Sequence, residues 1–339
     1  MKKTFMLIFT ATIVVLLCSG CTSADYSAID STDNITIVEM AERNLSEVQA
    51  VDVSLVSFDI AKVTDVLFDN RTIVEHSSTQ NSCFIQADDQ TYLTYFSTPA
   101  LVKLHYRTEY ADAVFNTIHL EQNTIENVFD LPLANSNFDF ASREQVEAEI
   151  LQLLQRLGIT NIGDTKIYSL SQKDLASLSI SQSNGKEILE STNDFFDSYL
   201  VQIKCIIHDI PLCEVDSALP NSETLFGSKI NALFTKDGIE GLEITNLYVP
   251  HEVEGLYSVI SAQDAATVVY KKLSSIITRN SYVITDADLR YAQEFKDKSH
   301  SSLRLIPVWL ICVEETNIDY AINNKFYILV NALTGNEFF

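Results

Sequence analysis

Two stretches of the chain follow the same order of sequence patterns, and this repetition most constrains the fold. Each begins with a serine, Ser142 or Ser261, placed where a side chain caps the start of a helix. Apolar residues at helical spacing come next, followed by segments that alternate apolar and polar residues as strands do. Each stretch then reaches Asn-Ala-Leu, at 231–233 or 331–333, and a glycine-containing turn. The sequence therefore predicts a duplicated unit of one helix and antiparallel strands.

The predicted fold class is α+β. A capped helix packed on antiparallel strands is a two-layer unit with one buried sheet face. Before the two copies lies a third patterned block, in which Val51, Val53 and Leu55 alternate with polar residues and Asp59 precedes a helical pattern. We expect an N-terminal α/β domain over residues 46–135, a first helix-plus-sheet module over 136–255 and a second over 256–339.

The first twenty residues resemble a lipoprotein signal peptide. Lys2 and Lys3 precede an uncharged apolar run over residues 4–17, which is shorter than the roughly 20 residues of a spanning helix. Small residues then precede Cys21, as in the lipobox of bacterial lipoproteins. This resemblance implies cleavage before Cys21 and acylation of its sulfur. The alternatives are an ordinary secretory signal cut elsewhere and an uncleaved anchor helix.

Residues 21–45 are mostly small and polar and are expected to form a flexible tether between lipid and fold. The chain carries 46 acidic and 23 basic residues, with a formal net charge of −23. Such acidity excludes nucleic acid, which requires a basic surface, and disfavours lying on anionic lipid. It fits a basic protein partner or a cation, or a surface that is acidic only for solubility.

The cysteines form no zinc-binding pattern, because no CxxC occurs in the chain. Cys205 lies on the apolar side of an alternating strand, which predicts a buried, inert thiol. Cys205 and Cys213 flank an expected bend, and an exported protein permits a disulfide between them. Both alternatives, buried thiols and a disulfide, remain open from the sequence.

The second copy, residues 256–339, resembles the PepSY domain. Its helix opens with Ser-Ala-Gln-Asp-Ala-Ala at 261–266, and its last strand ends in Val-Asn-Ala-Leu-Thr-Gly-Asn-Glu at 330–337. The PepSY closing strand typically carries Val-Asp-Ala-x-Thr-Gly-Glu, so Asn331 stands where that family has Asp. The first copy is less similar; its His-Asp-Ile-Pro-Leu at 208–212 resembles a stretch of related domains.

The whole arrangement resembles the YycH/YycI regulators of Gram-positive bacteria and uncharacterised clostridial lipoproteins. Those regulators are held by a transmembrane helix and bind a cell-wall sensor kinase. The resemblance implies a chain on the outer face of the cell membrane with an envelope or membrane protein as partner. Since a lipobox replaces the transmembrane helix here, contact through that helix would be absent.

No motif of known chemistry stands out in the chain. His251-Glu-Val-Glu lacks the second histidine of HExxH, so we expect a solvated linker there and no metal site. Asp286 and Asp288 would share one strand face, as in a calcium site, but an exposed acidic edge is the preferred interpretation. We predict no catalytic residue, no metal ligand and no cofactor, and the ligand-binding residues stay unknown.

The sequence predicts a non-catalytic binding or regulatory lipoprotein that is attached to the bilayer through acylated Cys21. Its expected partner is another envelope protein, and nucleic acid is not expected. One alternative is a lipoprotein that binds a small ligand or a cation. A second is a hydrolase whose site assembles from distant residues, since such sites are recognised by geometry and not by sequence position.

Overall fold

The computed structural model describes residues 28–32, 34–40, 47–119, 136–176, 195–218, 224–276, 280–297, 302–317 and 322–338. Strands account for 51% of the structure and helices for 21%. The predicted α+β class is therefore wrong: the fold is mostly β, built on two large sheets of nine and seven strands. It is not a series of helix-plus-sheet modules of the PepSY type, because the strands pair across the sequence blocks.

The main helices are α1 (Ile60–Leu67), α2 (Glu109–His119), α3 (Arg143–Arg156) and α4 (Ala262–Ser274), and residues 172–176 are also helical. The strands up to residue 211 are β1 (Ala28–Thr32), β2 (Ile35–Val38), β3 (Glu47–Leu55), β4 (Ile73–Ser78), β5 (Ser82–Ala87), β6 (Tyr92–Ser97), β7 (Val102–Arg107), β8 (Ile162–Leu170), β9 (Ser198–Ile207) and β10 (Ile210–Pro211). The later strands are β11 (Ser217–Ala218), β12 (Thr224–Leu225), β13 (Lys229–Thr235), β14 (Gly238–Thr245), β15 (Tyr248–Ser258), β16 (Ser281–Phe295), β17 (Leu303–Asn317) and β18 (Ile322–Asn331).

The nine-stranded sheet has the order β10-β9-β13-β14-β7-β6-β5-β4, with β8 also paired to β9. The seven-stranded sheet has the order β1-β2-β16-β17-β3-β15, with β18 also paired to β17. In both sheets the pairing is antiparallel except between β2 and β16, which run parallel. Strands β11 and β12 form a separate pair. The seven-stranded sheet thus combines the first and last parts of the chain.

Both sheets extend across the block boundaries expected from the sequence. Residues 28–32 and 35–38 of the expected tether instead form β1 and β2 of the seven-stranded sheet, and Ile35 and Ile37 are buried. Strand β3 pairs with β15 and β17, about 190 to 250 residues later in the chain. Strands β4 to β7 join the nine-stranded sheet, where β7 pairs with β14. The N-terminal strands are therefore divided between the two sheets. Of the strands of the two sequence copies, β8 to β10, β13 and β14 lie in the nine-stranded sheet and β16 to β18 lie in the seven-stranded sheet.

The helix starts are confirmed. Asp59 accepts hydrogen bonds from backbone N–H groups at the start of α1, and Ser142 forms a reciprocal capping box with Gln145 at α3. Ser261 accepts from the backbone of Asp264 at α4. These side chains satisfy donors that have no partner within the helix.

Helices cover both faces of the nine-stranded sheet. Helix α2 packs Phe115 and Ile118 in a cluster with Leu200 of β9 and Leu233 of β13. Helix α3 packs on the opposite face, in the cluster that holds Val201 of β9. Since neighbouring residues of a strand point to opposite faces, β9 is buried on both sides.

Helix α4 covers one face of the seven-stranded sheet, where its Val269 and Leu273 join a cluster with Ile311. The other face holds a smaller cluster that includes Cys213 and Leu329. Strand β17 lies between β16 on one side and β18 and β3 on the other, which fits its continuous apolar sequence.

The two sheets are joined by hydrogen bonds near β10. The Cys213 amide donates to the carbonyl of Tyr291 at 2.7 Å. Gln293 Nε2 of β16 donates to the carbonyl of Ala100, just before β7, at 3.3 Å, and within the seven-stranded sheet the Tyr248 hydroxyl donates to Gln293 Oε1 at 2.8 Å. These bonds tie residues of both sheets together in a buried region.

The repeated Asn-Ala-Leu lies at different places in the two copies. In the nine-stranded sheet residues 231–233 lie inside β13, and the strand continues to a turn where Gly238 has a φ of 101°. In the seven-stranded sheet β18 ends at Asn331, and the turn that follows includes Gly335 with a φ of 71°. Both glycines supply the left-handed conformation that the sequence predicted.

The two turns also lead to different return strands. Strand β14 pairs with β13 along its full length. The residues after Gly335 meet β18 at one bridge, between Val330 and Glu337, and the Phe338 amide donates to the carbonyl of Leu329 at 2.8 Å. Among the described strands, β17 is the one strand that pairs with β18.

Candidate functional site

A groove of about 440 Å³ lies beside β18. Its walls come from the last turn of α4, from β18 and the turn after it, and from the segment leading into β11. The lining residues are Val215, Asp216, Lys272, Leu273, Ile276, Tyr282, Glu315, Phe326, Tyr327, Ile328, Leu329, Glu337 and Phe338. Its volume is typical of small-molecule and peptide side-chain pockets.

The groove reaches both faces of β18 because successive side chains of a strand point to opposite sides. Phe326 and Ile328 face α4 and belong to the main hydrophobic cluster. Tyr327 and Leu329 face the other way, toward the cluster that contains Val215. An occupant of the groove would therefore contact apolar surface on both sides of the strand.

Aromatic and aliphatic side chains form the floor beneath α4. The rings of Tyr282 and Phe326 pack edge to face, with centroids 6.3 Å apart. Ile276 follows the end of α4 and is 46% exposed at the rim of the groove. A large exposed apolar residue beside a concave surface is a feature of binding sites.

The charged residues of the groove are mainly acidic. Lys272 pairs with Glu337 across the groove. Glu315 accepts a hydrogen bond from the side chain of Asn280. Asp216 pairs with Lys229 at 2.9 Å and also accepts from the amide of Gly227 at 2.9 Å. Three carboxylates and one ammonium thus line an apolar groove.

The sequence did not indicate this site. Its residues come from six separate segments, and among them Glu337 alone lies in a stretch that the sequence analysis singled out, the PepSY-like 330–337. A weak local signal is Lys272 in the last turn of α4, a place where lysine is usual because it offsets the negative end of the helix dipole. The contact between Lys272 and Glu337 could not be read from that position.

The described residues that the sequence predicted as sites, Cys205 and Cys213, do not line this groove. Cys21 falls outside the described residues. Cys205 and Cys213 are both buried free thiols. They belong to different hydrophobic clusters, on the two sides of the bend at Ile210–Pro211. Burial raises the pKa of each thiol to about 12, so both remain protonated and unreactive at neutral pH.

The sequence placed His251 in a linker, and the structure corrects this. His251 lies within β15, and its Nε2 is 2.9 Å from the Ser54 hydroxyl of β3. Asp288 pairs with Arg290 at 2.6 Å within β16. Arg290 is almost fully buried and lies 3.4 Å from Glu214, so this acidic position is part of an ion-pair cluster.

Within the described ranges, no group of three or more His, Cys, Asp or Glu side chains is arranged to hold a metal ion. None of the described helices combines the length and the apolar character needed to cross a membrane.

Comparisons with known proteins show the fold alone. No protein-family model matches the chain, and no curated protein matches it. A crystal structure of an uncharacterized protein from Eubacterium rectale is similar, with a TM-score of 0.69. The alignment has 15% sequence identity and covers 93% of this chain and 94% of the other. The two-sheet architecture is therefore shared by a protein of very different sequence.

Proposed function

We propose that this protein is a membrane-tethered lipoprotein on the outer face of the cell, and that it binds another envelope protein without catalysing a reaction. The groove beside β18 supports binding, because it combines apolar floor residues with a charged rim. The lipobox-like sequence before Cys21 supports the lipid anchor.

The lining of the groove defines the chemistry of a partner segment. Apolar side chains would pack between α4 and β18, against Phe326 and Ile328. A lysine or arginine of the partner would lie near Glu315, which accepts from the neutral amide of Asn280, whereas Asp216 is already paired with Lys229. We therefore expect an extended, basic and partly apolar segment. The chain's formal charge of −23 would speed the approach of such a partner.

Site-specific crosslinking in the native cells tests this proposal. A photo-crosslinking amino acid at Ile276 would lie on the rim of the groove, where the side chain is 46% exposed. Val249 on β15 is similarly exposed at 44% but lies outside the groove, so it serves as the matched control. We expect one dominant envelope protein from position 276 and none from position 249, with a yield that falls at high salt.

The same crosslink yield from both positions, or no reproducible partner from position 276, would contradict the proposal. The anchor is tested separately with Cys21→Ala, which should release the chain from the membrane fraction.

The volume of the groove also fits a small organic cation, which is the second candidate. Binding of such a ligand would stabilise the fold by mass action and raise the melting temperature of the purified chain. A screen of amines and apolar cations that shifts the wild-type chain but not an Ile276→Lys variant would favour this candidate over a protein partner.

A further inference from the structure

Strand β4 forms an outer edge of the nine-stranded sheet. It spans Ile73–Ser78, and every one of its residues is exposed. Within the described part of the chain, β5 is its one partner strand. An edge strand directs alternate backbone N–H and C=O groups away from the sheet, where they can pair with another strand.

Other edge strands of the molecule carry features that block such pairing. Strand β15 contains Pro250 and two irregularities in its register with β3. Strand β10 has two residues, one of which is Pro211. Strand β4 contains no proline and no lysine, and its one irregularity lies at its start, between Ile73 and Glu75. It thus lacks most of the devices that keep edges apart.

The exposed side chains of β4 are largely apolar or neutral. Ile73 is 43% exposed and Val74 is 61% exposed. Across residues 72–87, the β4–β5 hairpin and its flanks contain Glu75 and His76 and no other acidic or basic residue. This hairpin is nearly neutral in a chain with 46 acidic residues.

The low charge identifies the kind of partner. A basic partner would gain little here and would prefer the acidic parts of the surface. Two copies of this acidic chain repel each other over most of their surfaces, and the repulsion is smallest where the charges are fewest. An edge strand is also complementary to itself about a two-fold axis.

We propose that β4 pairs antiparallel with β4 of a second copy and joins the two nine-stranded sheets into one. Each copy contributes one such edge, so the contact closes at a dimer and does not propagate. A six-residue strand pair buries less than the roughly 1,200 Å² of a standard interface, so the dimer of the soluble chain is weak. Two copies held on one membrane gain in effective concentration.

Disulfide trapping tests the contact. The chain starting at Thr22 contains every described element, and its four cysteines in the described part are buried. Pairing all six residues places Val74 opposite Ser77 of the second copy, so Val74→Cys/Ser77→Cys sets exposed thiols on β4 that face each other across the contact. Leu256→Cys is the control, because Leu256 is 63% exposed on β15. Under mild oxidation we expect covalent dimers from Val74→Cys/Ser77→Cys and monomers from Leu256→Cys.

Sedimentation velocity across a concentration series gives an independent measurement without a thiol. Val74→Lys should weaken self-association by about tenfold or more, since a charged lysine on an edge strand opposes pairing with another strand. Leu256→Lys should leave it unchanged.

Equal trapping of both cysteine variants, no trapping of Val74→Cys/Ser77→Cys, or unchanged association in Val74→Lys would overturn the proposal. None of these results depends on the groove beside β18, so its partner is tested separately.

Discussion

The nine-stranded sheet encloses its Asn-Ala-Leu hairpin, whereas the seven-stranded sheet leaves the matching hairpin beside a groove. Strand β13 lies between β9 and β14, and its Leu233 is fully buried. The corresponding Leu333 follows the end of β18 and is half-buried. Similar local sequences thus build a closed core in one sheet and a lined depression in the other. Pairing with distant strands decides between these outcomes.

Truncating Leu233 and Leu333 to alanine should give the largest difference in the free energy of unfolding. Leu233→Ala removes a side chain packed with Phe115 and Leu200, and should lower the free energy of unfolding by about 2–5 kcal/mol. Leu333→Ala should cost about 1 kcal/mol, because the side chain is only half removed from water. Urea denaturation of both variants measures this contrast, and equal losses would contradict the difference in enclosure.

At alkaline pH, the buried cysteines of the two sheets should reduce the stability of the fold to different extents. Burial raises the pKa of Cys205 in β9 to about 12, from an ordinary thiol value near 8.5–9. Above about pH 9 the unfolded chain loses this proton while the folded chain keeps it. Its contribution to stability is therefore complete below that pH, and falls by about 1.4 kcal/mol per pH unit as pH rises toward 12.

Cys312 in β17 provides the comparison for this measurement. Burial also raises its pKa, but a hydrogen bond with Thr285 opposes the rise. Urea unfolding at a series of alkaline pH values should show a shallower pH dependence for Cys205→Ala than for Cys312→Ala. Tyrosine ionisation affects both variants alike. If the two slopes match, the two thiols are not buried as differently as the structure indicates.

The sequence predicted the elements of the fold better than their arrangement. Capping at Asp59, Ser142 and Ser261 is local chemistry, and those helix starts are correct. The placement of β3 beside β15 and β17 depends on pairing over about two hundred residues, for which the alternation at Val51 and Val53 carries no information. The α+β prediction was wrong because it assumed that each block forms its own sheet.

The candidate site was less predictable than the fold for the same reason. Asp216, Lys272 and Glu337 come together because two sheets, a helix end and a turn meet at β18. None of these residues has a neighbour in sequence that indicates its role. His251 shows the opposite error, since the nearby Pro250 suggested a linker although an edge strand accommodates proline.

Replacing the turn glycine with alanine should reduce stability by similar amounts in the two sheets. Gly238 and Gly335 both have positive φ values, so an alanine at either position would cost about 1–2 kcal/mol. A Cβ would meet nothing within 4 Å at Gly238, and would make an ordinary contact of 3.7 Å with Ile260 Cδ1 at Gly335. Thermal denaturation of the two alanine variants should therefore give similar shifts. A much larger loss at Gly335 would mean that its turn is more tightly constrained than the contacts indicate.

The ion pair across the groove should have the smallest effect on stability and the most informative effect on binding. Lys272 and Glu337 are 41% and 29% exposed, so breaking their pair costs no more than about 1 kcal/mol. Lys272→Met and Glu337→Gln break the same pair and should destabilise the fold equally.

The effects of these two variants on the binding of a basic partner should be opposite in sign. Lys272→Met leaves a carboxylate unopposed and should raise the crosslink yield at position 276 about twofold to fivefold, the equivalent of 0.5–1 kcal/mol. Glu337→Gln leaves an ammonium and should lower the yield by a similar factor. The reverse order would identify an acidic partner, and no change in either variant would place the binding site elsewhere.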